Sequence, residues 1–154
     1  MSSTSNLFPG VRVILVEASH PGNVGSAARA MKNMGLTELV LVSPYALPSD
    51  KAIYRAASAE DVVRCARVVD TVEEAIADCQ LVIGTSARNR RIPWPMLTPK
   101  ECGKQVSIAA SKKKLVGLMF GRESKGLKND ELQKCNYHVS IPTGEAYTSL
   151  NLAM

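Results

Sequence analysis

The chemistry-bearing residue types of this chain cluster in four short segments: His20-Pro21-Gly22-Asn23-Val24-Gly25, Gly84-Thr85-Ser86-Ala87-Arg88, Gly121-Arg122-Glu123-Ser124-Lys125-Gly126, and Pro142-Thr143-Gly144-Glu145-Ala146-Tyr147-Thr148-Ser149. The first spaces its glycines Gly-x-x-Gly, with no well-placed acid after the second strand, so it is not a dinucleotide fingerprint. The third has the Gly-x-x-x-x-Gly outline of a phosphate loop. Leu127 and Lys128 stand where that loop needs Lys followed by Ser or Thr. No Gly-x-Ser-x-Gly elbow surrounds Ser86, Ser124 or Ser149, which leaves a serine-hydrolase triad without support. His20 and His138 are far apart, and Cys65, Cys79, Cys102 and Cys135 contain no Cys-x-x-Cys pair, so no metal or redox site is readable.

What remains suits an anionic polymer. Arg29 lies four residues after Gly25, on a helix lined with alanines, and its planar fork suits phosphate, although a solvated arginine would look the same. Arg88, Arg90 and Arg91 precede Trp94, which stands between two prolines; three guanidinium groups beside an aromatic plane fit backbone phosphates and an unstacked base, while a rigid exposed loop is the plain alternative. The net charge of +5 favours encounter with polyanions without establishing it.

The 154 residues make one domain's worth of chain, and 45% hydrophobic residues with 21% charged ones describe a globular protein rather than a disordered one. Apolar runs such as 11–16 and 39–42 fall far short of the roughly 20 residues that span a bilayer. The polar start is unlike a secretory signal, so a cytoplasmic protein with free thiols is expected.

Strands are predicted at 11–16, 39–42, 68–69, 81–84, 115–120 and 138–141, most of them apolar on successive positions as two-sided burial demands. Helices are predicted at 22–34, 52–57, 59–66, 71–76, 99–110 and 129–135; Gly35 closes the first, and Thr71 with Glu74 forms a capping box. Alternating strands and helices predict an α/β fold of three layers around a mainly parallel sheet, with its ligand site beyond the strands' carboxyl ends. The four chemical segments all fall there.

In order along the chain, Asn23-x-Gly25-x-x-x-Arg29, Phe120-Gly121-Arg122-Glu123-x-x-Gly126-Leu127, and Ile141-Pro142 with Ser149-Leu150-Asn151-Leu152-Ala153 resemble the three motifs of the SPOUT RNA methyltransferases. Gly84 to Arg88 and Pro93-Trp94-Pro95 resemble more closely the bacterial tRNA cytidine/uridine 2′-O-methyltransferases within that superfamily. The resemblance implies a deep C-terminal trefoil knot, an exception to the rule against threaded chains. It also implies S-adenosylmethionine as cofactor, tRNA as substrate, and a homodimer whose subunit interface builds the active site.

By position, the resemblance gives Thr85, Ser86, Ala87, Gly121, Ile141, Thr148, Ser149 and Leu150 to the cofactor, and Asn23, Arg29, Glu123, Ser149 and Asn151 to catalysis, with Arg29 supplied by the partner subunit. Arg88, Arg90, Arg91 and Trp94 are the expected RNA contacts. The implied reaction methylates the ribose 2′-hydroxyl of cytidine or uridine at position 32, the first nucleotide of the anticodon loop. The same chemistry at another tRNA position or on rRNA, and a knotted RNA-binding module without turnover, are the alternatives. Residues 1–154 are expected to be the catalytic domain, with the last knot helix cut at Met154 and the family's small C-terminal extension absent.

Overall fold

The computed structural model describes residues 10–18, 21–44, 59–86, 96–121 and 127–140. In chain order the elements are β1 (Val11–Val16), α1 (Pro21–Asn33), β2 (Glu38–Val42), α2 (Glu60–Arg64), β3 (Arg67–Val69), α3 (Val72–Ile76), β4 (Leu81–Ser86), β5 (Met96–Leu97), α4 (Pro99–Ser111), β6 (Val116–Phe120), α5 (Asn129–Leu132) and β7 (Tyr137–Ser140). The strands form one seven-stranded sheet in the order β3-β2-β1-β6-β4-β7-β5. Every pairing is parallel.

Why the sheet is parallel follows from its two covered faces. Val11, Val13 and Leu15 of β1 pack with α1, α2 and Leu39 and Leu41 of β2. The alternate residues Ile14 and Val16 pack with α3, α5 and Val82 of β4. A smaller cluster under α4 joins Ile83, Leu97 and Val139 on the α1 side. The expected three-layer α/β architecture is thus present; the expected C-terminal knot involves residues outside the described ones.

Local signals placed the helices well. The α1 pattern buries Val24, Ala27, Ala28 and Met31 on one stripe, and Gly35 ends the segment in the left-handed region at φ 78°. Thr71 Oγ1 accepts the Glu74 N–H at 3.2 Å, the first half of the expected capping box, while the Glu74 carboxylate takes the Thr71 hydroxyl at 3.3 Å. A complete box, Thr98 with Glu101, starts α4 at Pro99. The helix expected over 129–135 is regular only to Leu132, after which the N–H groups of Lys134 and Cys135 turn to carbonyls three residues back. The two-residue β5 was not foreseen, because it is too short to show periodicity and is held only by pairing with His138 and Val139 of β7. The helix predicted over 52–57 lies outside the described residues.

One side chain breaks the apolar pattern of β1. Arg12 is buried, and its guanidinium spans three segments: Asp78 in a two-pronged pair at 2.7 and 3.0 Å, the Ala75 carbonyl at 2.7 Å, and Glu38 at 2.9 Å. Glu38 lies directly alongside Arg12 in the β1–β2 register. Burial alone would lower the pKa of the cation, but the Asp78 and Glu38 carboxylates outweigh it and raise it further, while Arg12 in turn holds the Asp78 carboxyl below the ordinary range. Beside them, Gly117 leaves room for the Cys79 thiol, which an added methyl group would approach to 3.1 Å.

Arg12→Ala should lower stability by about 2–4 kcal/mol, and Arg12→Met, which refills the volume, by less; urea unfolding measures both. The depressed Asp78 pKa contributes stability above its unfolded value near 4, lost as pH falls through the folded value, so acid sensitivity should shrink in Arg12→Ala. At Gly84, an added Cβ would sit 2.7 Å from Cys135 Sγ and 3.2 Å from Leu127 Cδ1. Gly84→Ala should therefore cost about 1–3 kcal/mol, and Cys135→Ala added to it should restore part of the loss; an undiminished deficit in the double variant would show that the thiol is not the obstacle.

Candidate functional site

Strand registers decide which residues meet at the carboxyl edge of the sheet. Leu81 pairs with Val116 and Gly84 with Met119, so the same offset carries Ser86 to the level of Gly121. Ser86 pairs in turn with Ser140 on its other side. Three adjacent parallel strands therefore end together at Ser86, Gly121 and Ser140. Main-chain groups at such ends have no further strand to pair with and face the crevice outside the sheet.

Thr85 sits one residue below that rim, and its hydroxyl donates to the Met119 carbonyl at 3.2 Å. This bond ties β4 to β6 just before they part. It also commits the Thr85 side chain, leaving the main chain as what this position offers a ligand. Gly84 beneath it admits Cys135, Leu127 and Leu132 against the strand. Burial pushes the Cys135 thiol up to about 12, which makes it an inert packing group rather than a nucleophile. His138, buried in β7 with its Nε2 2.8 Å from the Leu132 carbonyl, likewise belongs to the support of the rim.

The next expected site residues lie on α1. Asn23 occupies its first turn and is partly buried; Arg29 is exposed, away from the Val24, Ala28 and Met31 stripe that contacts the sheet. Six helical residues separate the two, which puts them about 9 Å apart along the axis and about 120° apart around it. The helix does not bring them onto one face. Glu123, Ala87, Arg88, Arg90, Arg91, Trp94, Ile141, Thr148, Ser149, Leu150 and Asn151 lie outside the described residues.

Two features of the carboxyl edge escaped the sequence reading. Glu17 and Ser43, immediately after β1 and β2, adopt left-handed φ angles of 51° and 43°. Their N–H groups continue the ladder to the Val42 and Val69 carbonyls, each at 2.8 Å. Nothing in their residue types announces this, since neither is glycine or asparagine. Beside them opens a cleft of about 270 Å³ between α3 and α5, lined by Glu17, Asp70, Glu73, Asp130 and Glu131 with Lys134. Lys134 pairs with Glu73 at 3.2 Å, so the cleft stays acidic and repels a phosphate backbone. Among the described residues no group of three or more His, Cys, Asp or Glu could hold a metal ion, and no helix is long and apolar enough to cross a membrane.

Comparison with known proteins gives this edge a context. Residues 10–154 match the SpoU rRNA Methylase family. The tRNA (cytidine/uridine-2′-O-)-methyltransferase TrmJ of Salmonella typhimurium strain LT2 is 57% identical over 148 residues, which are 96% of this chain and 60% of that protein. The chain thus spans about three fifths of the curated relative. Among solved structures, a "probable methylase family protein" from Haemophilus influenzae Rd KW20 superposes with a TM-score of 0.86 at 50% identity, covering 94% of this chain and 60% of that one. A "probable methyltransferase" from Bordetella pertussis Tohama I gives 0.87 at 36%, covering 99% and 91%. A structure described by 2-OH methylation of C/U34 on tRNA gives 0.69 at 25%, covering 93% and 86%. With a family match running from the first described strand to the last residue, and close relatives agreeing in sequence and fold, this chain belongs to the SpoU methylase family.

Proposed function

We propose that this chain is the catalytic domain of a tRNA 2′-O-methyltransferase that uses S-adenosylmethionine and methylates the ribose of a cytidine or uridine in the anticodon loop. The observation that carries this reading is the common level of Ser86, Gly121 and Ser140 at three adjacent strand ends, in a chain 57% identical to TrmJ. Identity of that order to a tRNA (cytidine/uridine-2′-O-)-methyltransferase weighs more than the 25% likeness to a structure described by methylation of C/U34, and the proposed target is position 32, as the sequence motifs imply. The deep C-terminal trefoil knot, the homodimer and a cytoplasmic location belong to the same proposal.

The rim fits an adenosyl group. Gly121 carries no side chain between its neighbours, and Thr85 has spent its hydroxyl on β6, so this rim offers a planar ligand main-chain donors and acceptors. Thr85, Ser86 and Gly121 would hold the cofactor, joined by Ala87, Ile141, Thr148, Ser149 and Leu150. When bound, it supplies a methyl group on a positively charged sulfur.

The chain's own work is positioning. A ribose hydroxyl must be held in line behind the methyl carbon, and fixing that alignment supplies much of the acceleration. Asn23, Glu123, Ser149 and Asn151 would orient the ribose through hydrogen bonds. A guanidinium is no base at neutral pH, so the hydroxyl proton passes to a phosphate oxygen or water, while the Arg29 fork clamps a phosphate and stabilises negative charge developing on the hydroxyl oxygen. Its exposure, and its separation from Asn23 around α1, support its delivery to the rim of a second subunit. Arg88, Arg90, Arg91 and Trp94 would bind backbone phosphates and a splayed base.

Calorimetric titration with S-adenosylmethionine, followed by methyl incorporation into unmodified tRNA transcript, tests the proposal. Saturable binding with a 2′-O-methylated anticodon-loop nucleotide is expected; binding without transfer to any tRNA would favour a module without turnover. Arg29→Ala should lower methyl transfer by about 100-fold or more while cofactor affinity and dimer formation stay unchanged. An active Arg29→Ala enzyme would remove this residue from the mechanism.

A further inference from the structure

We infer that the outer face of α4 is a docking surface for the phosphate backbone of an RNA. Between Met96 and Gly121 stand five lysines, Lys100, Lys104, Lys112, Lys113 and Lys114, against one acid, Glu101. Glu101 is already committed, since its carboxylate accepts the Thr98 N–H at 3.0 Å. All five lysines are exposed, and none forms an ion pair among the described residues, whereas Lys32 and Lys134 are each paired to a carboxylate.

Two of these lysines share one stripe of the helix. Lys100, Lys104, Ser107 and Ser111 follow one another at three- and four-residue spacing, opposite the buried Ala109. Lys112 lies about 18 Å farther along the axis and about 120° around from Lys100, on the flank of that stripe, with Lys113 and Lys114 following past the helix end. Cations near Lys112 are explained by the negative pole of α4, which their charge complements. Lys100 is not: it lies in the first turn, against the positive pole, where the helix itself disfavours it. A partner with its own negative charge accounts for the cations at both ends of the helix.

Position points to the partner's class. α4 begins directly after β5, whose Leu97 pairs with Val139 near the rim, and it packs on the same sheet face as α1, which carries Arg29. An RNA strand reaching the rim from that side would pass Lys100 and Lys104 first. The large apolar side chain exposed on this helix is Ile108 alone, which gives an amphipathic membrane contact little to insert. This inference rests on the tRNA reading above, and the test separates the two.

Labelled unmodified tRNA is titrated with the 154-residue chain and with the triple variant Lys100→Gln, Lys104→Gln, Lys112→Gln, from 50 to 200 mM salt, alongside S-adenosylmethionine titration and methyl incorporation. The variant should bind tRNA about tenfold more weakly, with a slope of log affinity against log salt shallower by about two to three, and unchanged cofactor affinity. The matching Lys→Arg triple variant should bind like the parent. Unchanged affinity and slope in the glutamine variant overturn the surface, even if methyl transfer proceeds. Binding of the parent to phosphatidylserine vesicles but not to tRNA overturns it as well. Lysine-dependent tRNA binding without methyl transfer supports the surface while the enzymatic reading falls.

Discussion

Burial of β1 on both faces is the constraint from which the rest of the molecule follows. All six of its residues are buried, and both its edges are paired, to β2 and to β6. A strand so enclosed needs a helix over each face, and connections that pass over the faces make the neighbouring strands parallel. Parallel strands send all their carboxyl ends to one side. The convergence of Ser86, Gly121 and Ser140 is therefore a consequence of how β1 is covered, not a separate arrangement.

The two edges of the sheet then take different work. At the amino edge, Arg12 joins the start of β2 to the segment after α3, a buried cation balanced by two carboxylates that still reach water. Such a cluster contributes little net stability over an apolar one, but it specifies which segments lie against β1. At the carboxyl edge the chain ends its ladders, places Glu17 and Ser43 in left-handed geometry, and fixes Thr85 to β6. Rigid support below and free main-chain groups above are what a pre-formed ligand site requires.

Charge divides the surface in a matching way. The α3 and α5 side presents the acidic cleft around Glu17, Asp70 and Glu73, whereas the α1 and α4 side carries Arg29 and exposed lysines that form no ion pair among the described residues. A net charge of +5 could arise from any distribution, and the separation of signs is what gives a polyanion an orientation. The family's chemistry on RNA accords with a molecule that repels phosphate from one helical layer and attracts it to the other.

The sequence by itself determined the α/β class, the strands with long apolar runs, the extent of α1 and the family, because two-sided burial, helical spacing and motif order are local patterns. It also marked Thr85, Ser86 and Gly121 as residues that belong together, through resemblance rather than geometry. Tertiary structure alone decided that these residues share one level, since register depends on how β6 and β7 slide against β4. It alone placed Arg12, whose partners lie 26 and 66 residues away, and found β5, which exists only through its neighbour. Contacts between distant segments leave no periodicity in the chain, so burial of a charge and alignment of strand ends become visible only once the elements have packed.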